Sequence, residues 1–211
     1  MLLDVHTHRL PQDAATALLS CSLRDVPVPP RAKFLSVGIH PWYITREDYH
    51  QQVEWVHEMV NDKRVIALGE AGLDKRCTTP FDLQVEAFRN VALLAEERQL
   101  PLLIHAVKAT EELFTPKKQL CPHNAWIIHG FRGKKELAES FIRQGFYLSF
   151  GEKYQPEALR TIPEDRLLLE TDESTELIEN LYRRAAQERT AGLEAFTAKV
   201  QETINYLFFK K

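Results

Sequence analysis

The sequence predicts an α/β protein of the (β/α)8 class, a TIM-type barrel left incomplete because outer helices are missing near its N-terminus. Three observations carry this. From Phe34 onward, short and nearly continuous apolar runs alternate with amphipathic stretches, the pattern of a parallel sheet covered by helices. Histidine or an acidic residue follows the apolar run at strand ends spread along the whole chain, and a barrel gathers all C-terminal strand ends on one face. An open doubly wound sheet would instead place its site at one switch point, and no glycine-rich phosphate loop marks such a point. Between His8 and Phe34 no helical period of useful length fits.

The opening run Leu2-Leu3-Asp4-Val5 breaks into His6-Thr7-His8. Residues two apart on a strand project from one side, so the two imidazoles converge. Arg9 to Asp13 is turn-like, and Thr16 to Leu23 suits a second strand whose direction the pattern leaves open. Pro27, Pro29 and Pro30 forbid regular structure. Phe34 to Ile39 is a strand ending at His40-Pro41; Thr45 can cap a helix to about Asn61, with Val53, Val56 and Val60 on one face. Val65 to Leu68 is a strand ending at Gly69-Glu70. Thr79-Pro80, with Asp82 completing the cap, opens a helix whose buried face is Phe81, Val85, Phe88, Ala92 and Ala95. Pro101 to Ile104 ends at His105, Ala125 to Ile128 ends at His129, Phe146 to Ser149 follows, and Leu167 to Leu169 ends at Glu170-Thr171-Asp172. Helices fall at Thr110 to Leu120, at Lys134 to Gln144 closed by a left-handed Gly145, at Pro156 to Thr161, and in two pieces broken near Gly192.

The 211 residues, 44% hydrophobic and 27% charged, describe an ordinary globular chain with a single domain over residues 1–211. A formal net charge of −3 argues against broad electrostatic binding to nucleic acid but leaves room for a local basic patch. No apolar run is long enough to cross a bilayer, and no leader pattern stands at the N-terminus, so the expectation is a cytoplasmic protein with no membrane partner. Cys21, Cys77 and Cys121, an odd number at wide spacing, fit reduced thiols; Cys21 and Cys121 read as buried and inert.

An isolated His-x-His pair is usually a surface pair, a lone strand-end histidine can be satisfied by a carbonyl, and an acid there can cap the next helix. Convergence changes the balance. His6, His8, Glu70, His105, His129 and Asp172 together offer four imidazoles and two carboxylates, about what two adjacent divalent cations need with one carboxylate bridging. Gathered without a cation, these groups would be buried with no obvious partners.

The motifs Asp4-Val5-His6-Thr7-His8, Val37-Gly38-Ile39-His40-Pro41, Leu68-Gly69-Glu70-Ala71-Gly72-Leu73-Asp74, Pro101-Leu102-Leu103-Ile104-His105, Ile128-His129-Gly130-Phe131 and Leu169-Glu170-Thr171-Asp172-Glu173 run from the first strand to the last. In this order they resemble the TatD family of metal-dependent hydrolases, TatD-like DNases within the amidohydrolase-like barrels. The resemblance implies a divalent-metal phosphodiesterase or deoxyribonuclease, exonuclease-like, acting on DNA or RNA ends. It implies a pair of ions (Mg²⁺, Mn²⁺ or Zn²⁺) held by His6, His8, Glu70, His105, His129 and Asp172, with Asp172 orienting or deprotonating the attacking water and Glu70 bridging.

This chain departs from the family pattern in two places. The interval between the first and third strands is much shorter than the family's and lacks its helices; the exposed apolar flank expected there is a candidate homodimer contact. Where the family carries arginine two residues after the histidine, this chain has Val107 and then Lys108, a flexible point charge in place of a bidentate fork. His40, Lys108 and Arg132 are the candidate substrate-binding residues, although Arg132 alone has the simpler reading of a solvated loop charge. A metal-dependent esterase or amidase on a small molecule or an aminoacyl ester is the alternative enzyme, and a metal-retaining binding protein the non-catalytic one. Trp55 and Trp126 read as packing, Trp42 beside His40 as the tryptophan within reach of substrate, and Lys134-Lys135 as a solvated face. Cys77 has no identifiable base.

Overall fold

The computed structural model describes residues 3–24 and 28–209, so the expectations for Leu2 and Pro27 lie outside the described residues. The strands are β1 (Asp4–Thr7), β2 (Ala17–Cys21), β3 (Phe34–Val37), β4 (Val65–Asp74), β5 (Leu102–Val107), β6 (Trp126–Ile128), β7 (Tyr147–Phe150) and β8 (Leu167–Leu169). The helices are α1 (Tyr49–Met59), α2 (Phe81–Arg98), α3 (Thr110–Leu120), α4 (Lys135–Arg143), α5 (Pro156–Thr161), α6 (Ile178–Glu188) and α7 (Leu193–Ile204). All eight strands lie in one sheet in chain order, and parallel ladders join β1 to β2, β3 to β4 to β5, and β6 to β7 to β8. Helices follow from β3 onward, as the (β/α)8 barrel class requires, and none stands between β1 and β3 among the described residues.

Contacts divide the chain into two compact units, Met1–Leu19 with Ile127–Lys211 and Ser20–Trp126. In the first, β7 and β8 form a core of leucine and aromatic side chains. Phe131 meets Phe150 and Phe141 edge to face at 5.6 and 6.1 Å, and Phe141 meets Phe146 at 5.1 Å. A parallel bridge between Thr7 and Asp172 brings the chain after β8 back to β1. In the second unit α2 lies on β4, and Phe88 packs edge to face on the buried Trp126 at 5.4 Å.

Several expectations are corrected. The 17–21 segment runs parallel to β1, which settles its direction. All five residues of β2 are buried, although no helix stands between β1 and β3 among the described residues. Strand β4 does not stop at Glu70 but continues to Asp74, because its ladder with β5 carries on from Ala71 to Asp74. Helix α1 begins at Tyr49; Thr45 and Asp48 form a reciprocal pair before it, Asp48 N–H donating to Thr45 Oγ1 and Thr45 N–H to Asp48 Oδ1. The residue before α2 is Pro80, which makes no side-chain cap bond, and Asp82 pairs with Arg46 at 2.6 Å. Its buried face is Leu83, Gln84, Ala87, Phe88, Val91, Ala92, Leu94 and Ala95, which leaves Val85 exposed. Cys21 is buried, but Cys121 is exposed at the end of α3.

Candidate metal centre

In the first unit the strand alternation of β1 sends His6 and His8 to one side, toward the end of β8. His6 Nε2 and His8 Nε2 lie 3.8 and 3.7 Å from the same oxygen, Asp172 Oδ1. The His6 ring stands 5.1 Å from that of His8 and 4.2 Å from that of His129. Asp172 is held by backbone: its N–H donates to the His6 carbonyl at 2.9 Å and its carbonyl accepts from His8 N–H at 3.1 Å. Its φ of +56° is left-handed, a conformation that aspartate tolerates better than most residues. Arg132 Nη2 reaches Asp172 Oδ2 at 3.6 Å, and both line a cleft of about 210 Å³ with Lys153 and Glu173.

Two buried carboxylates organise this group. Asp4 Oδ1 accepts from the N–H groups of His6 and Thr171, and Oδ2 accepts the Thr171 hydroxyl at 2.6 Å. Burial pushes the Asp4 carboxyl up to about 7 against these hydrogen bonds. Glu170 Oε1 accepts from Gly130 N–H at 2.6 Å and lies 3.2 Å from His129 Nδ1. Burial alone would raise Glu170, but His129, followed by His6, holds it below the usual carboxylate range.

In the second unit Glu70 Oε1 sits between two imidazoles, 3.0 Å from His40 Nε2 and 2.8 Å from His105 Nδ1. The backbone N–H of Trp42 donates to His40 Nδ1 at 3.1 Å, so the ring proton of neutral His40 is on Nε2 and is donated to Glu70. His105 Nε2 lies 3.0 Å from Asp74 Oδ2, which also accepts Trp42 Nε1–H at 2.7 Å; Asp74 Oδ1 accepts Arg76 N–H. Burial would raise Asp74, yet the bonds from Trp42, His105 and Arg76 keep it below its ordinary value. Two glycines allow the backbone to close here. A Cβ on Gly72 would fall 1.9 Å from the His105 carbonyl oxygen, and one on Gly38 would fall 2.5 Å from that of Glu70.

The clusters His6-His8-Asp172 and His129-Glu170-Asp172 in the first unit and His40-Glu70-His105 in the second each bring ligand atoms within 4.8 Å of one another, so they are able to bind metal. In this arrangement His40 Nε2–H is turned to Glu70 Oε1. Each unit thus brings its own predicted residues together, and Arg132 joins Asp172 instead of standing alone. Lys108 is the exception: it is an exposed residue with φ of +54° in the turn after β5. Sequence reasoning gave no role to Asp4, Asp74 or Glu170. For Asp4 the signal was present, since Asp4 and His6 are two apart and so share one strand face.

A model of the TatD-related DNase family matches residues 29–204. The metal-dependent hydrolase YabD of Bacillus subtilis is 38% identical over 151 residues, 66% of this chain and 58% of that protein. The 3'-5' ssDNA/RNA exonuclease TatD of Erwinia amylovora is 32% identical over 155 residues, 65% of this chain and 56% of that protein. The chain therefore spans little more than half the length of these curated relatives. The crystal structure of YJJV, a TatD homologue from Escherichia coli, matches with a TM-score of 0.80 at 18% identity, over 100% of this chain and 98% of that chain, a likeness of fold. The Escherichia coli phosphotriesterase homology protein, solved with phosphate in its active site, matches with a TM-score of 0.75 at 15% identity over 98% of both chains. With the family model extending over residues 29–204, from β3 through α7, the chain belongs to the TatD-related DNase family.

Proposed function

We propose that this chain, as a single catalytic domain over residues 1–211, is a divalent-metal-dependent phosphodiesterase, exonuclease-like, that acts on DNA or RNA ends with two ions of Mg²⁺, Mn²⁺ or Zn²⁺. The observation that carries the reading is the approach of His6 Nε2 and His8 Nε2 to one oxygen of Asp172, at 3.8 and 3.7 Å. These separations are too long for hydrogen bonds. They are close to the roughly 3.4 Å that separates ligand atoms around a tetrahedral ion with bonds of about 2.0–2.2 Å. The donor set of imidazoles and carboxylates suits a divalent cation.

In the first unit His6, His8, His129 and Asp172 would hold a cation; in the second Glu70 and His105 would offer a carboxylate and an imidazole to one. A bound divalent cation supplies Lewis acidity toward a phosphoryl oxygen and lowers the pKa of water. Asp172 orients the attacking water and accepts its proton. Arg132 meets a phosphate oxygen at the edge of Asp172, His40 supports Glu70 through its Nε2–H, and Lys108 contributes charge from its turn. Three free thiols support a reducing, cytoplasmic setting.

The presence of Val107-Lys108 in place of the family's arginine favours one second reading, a carboxylic ester or amide substrate. Single-stranded DNA and RNA, a phosphomonoester and a carboxylic ester, assayed side by side after chelation and again after addition of Mg²⁺, Mn²⁺ or Zn²⁺, separate the two. Metal-restored release of nucleotides from oligonucleotide ends is expected. Turnover of the carboxylic ester alone overturns the phosphodiesterase reading.

A further inference from the structure

Trp42 is half exposed, at 50%, yet its indole is tied down. Nε1–H donates to Asp74 Oδ2 at 2.7 Å, a buried acceptor, and the backbone N–H of the same residue donates to His40 Nδ1. That bond anchors the ring edge. The indole stands edge to face with His40 at 5.2 Å and with His105 at 5.7 Å. Tyr43, 37% exposed, lies 6.4 Å from it. The second unit thus presents a large, immobilised aromatic surface beside Glu70 and His105, with one side left to solvent.

An exposed tryptophan on a surface loop needs no special account. One whose only polar atom is bonded to the carboxylate that also contacts His105 does. Its open face suits a flat aromatic partner and carries no charge of its own. A nucleobase attached to the reacting phosphodiester is such a partner, and base stacking on aromatic side chains tolerates any sequence because every base has a π face.

We propose that Trp42 is the stacking platform for a nucleobase next to the phosphodiester being cleaved, a subsite that makes the centre selective for nucleic acid among phosphoesters. The proposal rests on the phosphodiesterase reading above and adds to it the part of the substrate that is gripped. Trp42→Leu removes the platform and the anchor together, whereas Trp42→Phe keeps an aromatic face and loses only the bond to Asp74.

The test compares an oligonucleotide with one carrying abasic residues at its termini, using the metal-loaded full chain. The parent should prefer the intact substrate in kcat/KM by about five-fold or more, through KM, in keeping with the strength of base stacking. Trp42→Leu should bring that ratio close to one, and Trp42→Phe should retain most of it. If Trp42→Leu slows both substrates in proportion and leaves the ratio unchanged, Trp42 only positions Asp74 and the proposal is overturned. Binding of a phosphorothioate oligonucleotide, followed by quenching of tryptophan emission, gives a readout independent of turnover. The quenching should be lost in Trp42→Leu, with the buried Trp126 and part-buried Trp55 as background. Quenching by Trp42 without hydrolysis of any oligonucleotide would remove the nuclease reading and leave the platform; hydrolysis without preference or quenching would do the reverse.

Discussion

The carboxylate of Asp4 accepts the Thr171 hydroxyl at 2.6 Å and the Thr171 N–H at 3.0 Å, a contact across 167 positions of sequence. The first strand therefore grips the residue next to Asp172, and the same carboxylate also accepts the N–H of His6. The spacing between the β1 histidines and Asp172 is set by this buried link and by the backbone bridge beside it.

That link predicts a pH dependence for chelator-treated protein. Asp4 titrates at about 7 in the folded chain against 3.8 for the free side chain, so its contribution is fully present below 3.8 and is lost as pH rises through 7. The span corresponds to on the order of 4 kcal/mol at 1.36 kcal/mol per pH unit. Asp4→Asn can keep the two N–H bonds through its carbonyl oxygen and donate to Thr171 Oγ1. Urea unfolding across pH 4 to 8 should show a decline in the parent and a flat profile in the variant.

Asp172→Asn should lower kcat by about 10²-fold or more on an oligonucleotide while leaving the thermal midpoint unchanged, because asparagine also accepts the left-handed backbone. Circular dichroism melting beside a nuclease assay checks both halves. An Asn variant as active as the parent removes Asp172 from the chemistry.

Glu170→Gln and Asp74→Asn each take the charge from a carboxylate that contacts a predicted metal-binding imidazole, His129 and His105 respectively. Such partners orient the ring and raise its basicity, and losing one lowers metal affinity by roughly 10–100-fold. Calorimetric titration with Zn²⁺ measures this without any substrate. Affinity equal to the parent's in both variants would mean that the two acids serve packing alone.

The residues that could be read from the sequence were those marked by a change of pattern. Apolar runs broken by His6, His105, His129 or Asp172 stand out because alternation and strand ends are local features. Asp74 was hidden because Gly69 and Gly72 make Val65 to Leu68 look like a complete strand; pairing with β5, a contact distant in sequence, extends it. The face of α2 was misplaced for a related reason. Gln84 is buried because its side chain accepts the Asp74 N–H and donates to the Asp74 and Thr79 carbonyls. Polarity alone assigns a glutamine to solvent, and that error placed Val85 inside. The missing helices around β2 were evident from composition, but the burial of β2 without them was not.

Glu96 offers a test far from the proposed chemistry. Burial alone would raise its pKa, but the His123 side chain and the N–H groups of His123 and Asn124 hold it below 4.5. Its stabilisation is present above 4.5 and is lost as pH falls through the lower native value. Glu96→Gln should cost about 1 kcal/mol at neutral pH, and the gap should close on acidification. Paired denaturation curves at pH 7 and pH 3 decide it.

The positive φ of Asp172 has a genetic corollary. Among residues at ease in that conformation, asparagine is reached from either aspartate codon by one G-to-A transition. Should Asp172 take the proton as proposed, a well-folded descendant that binds without cutting is a single point change away.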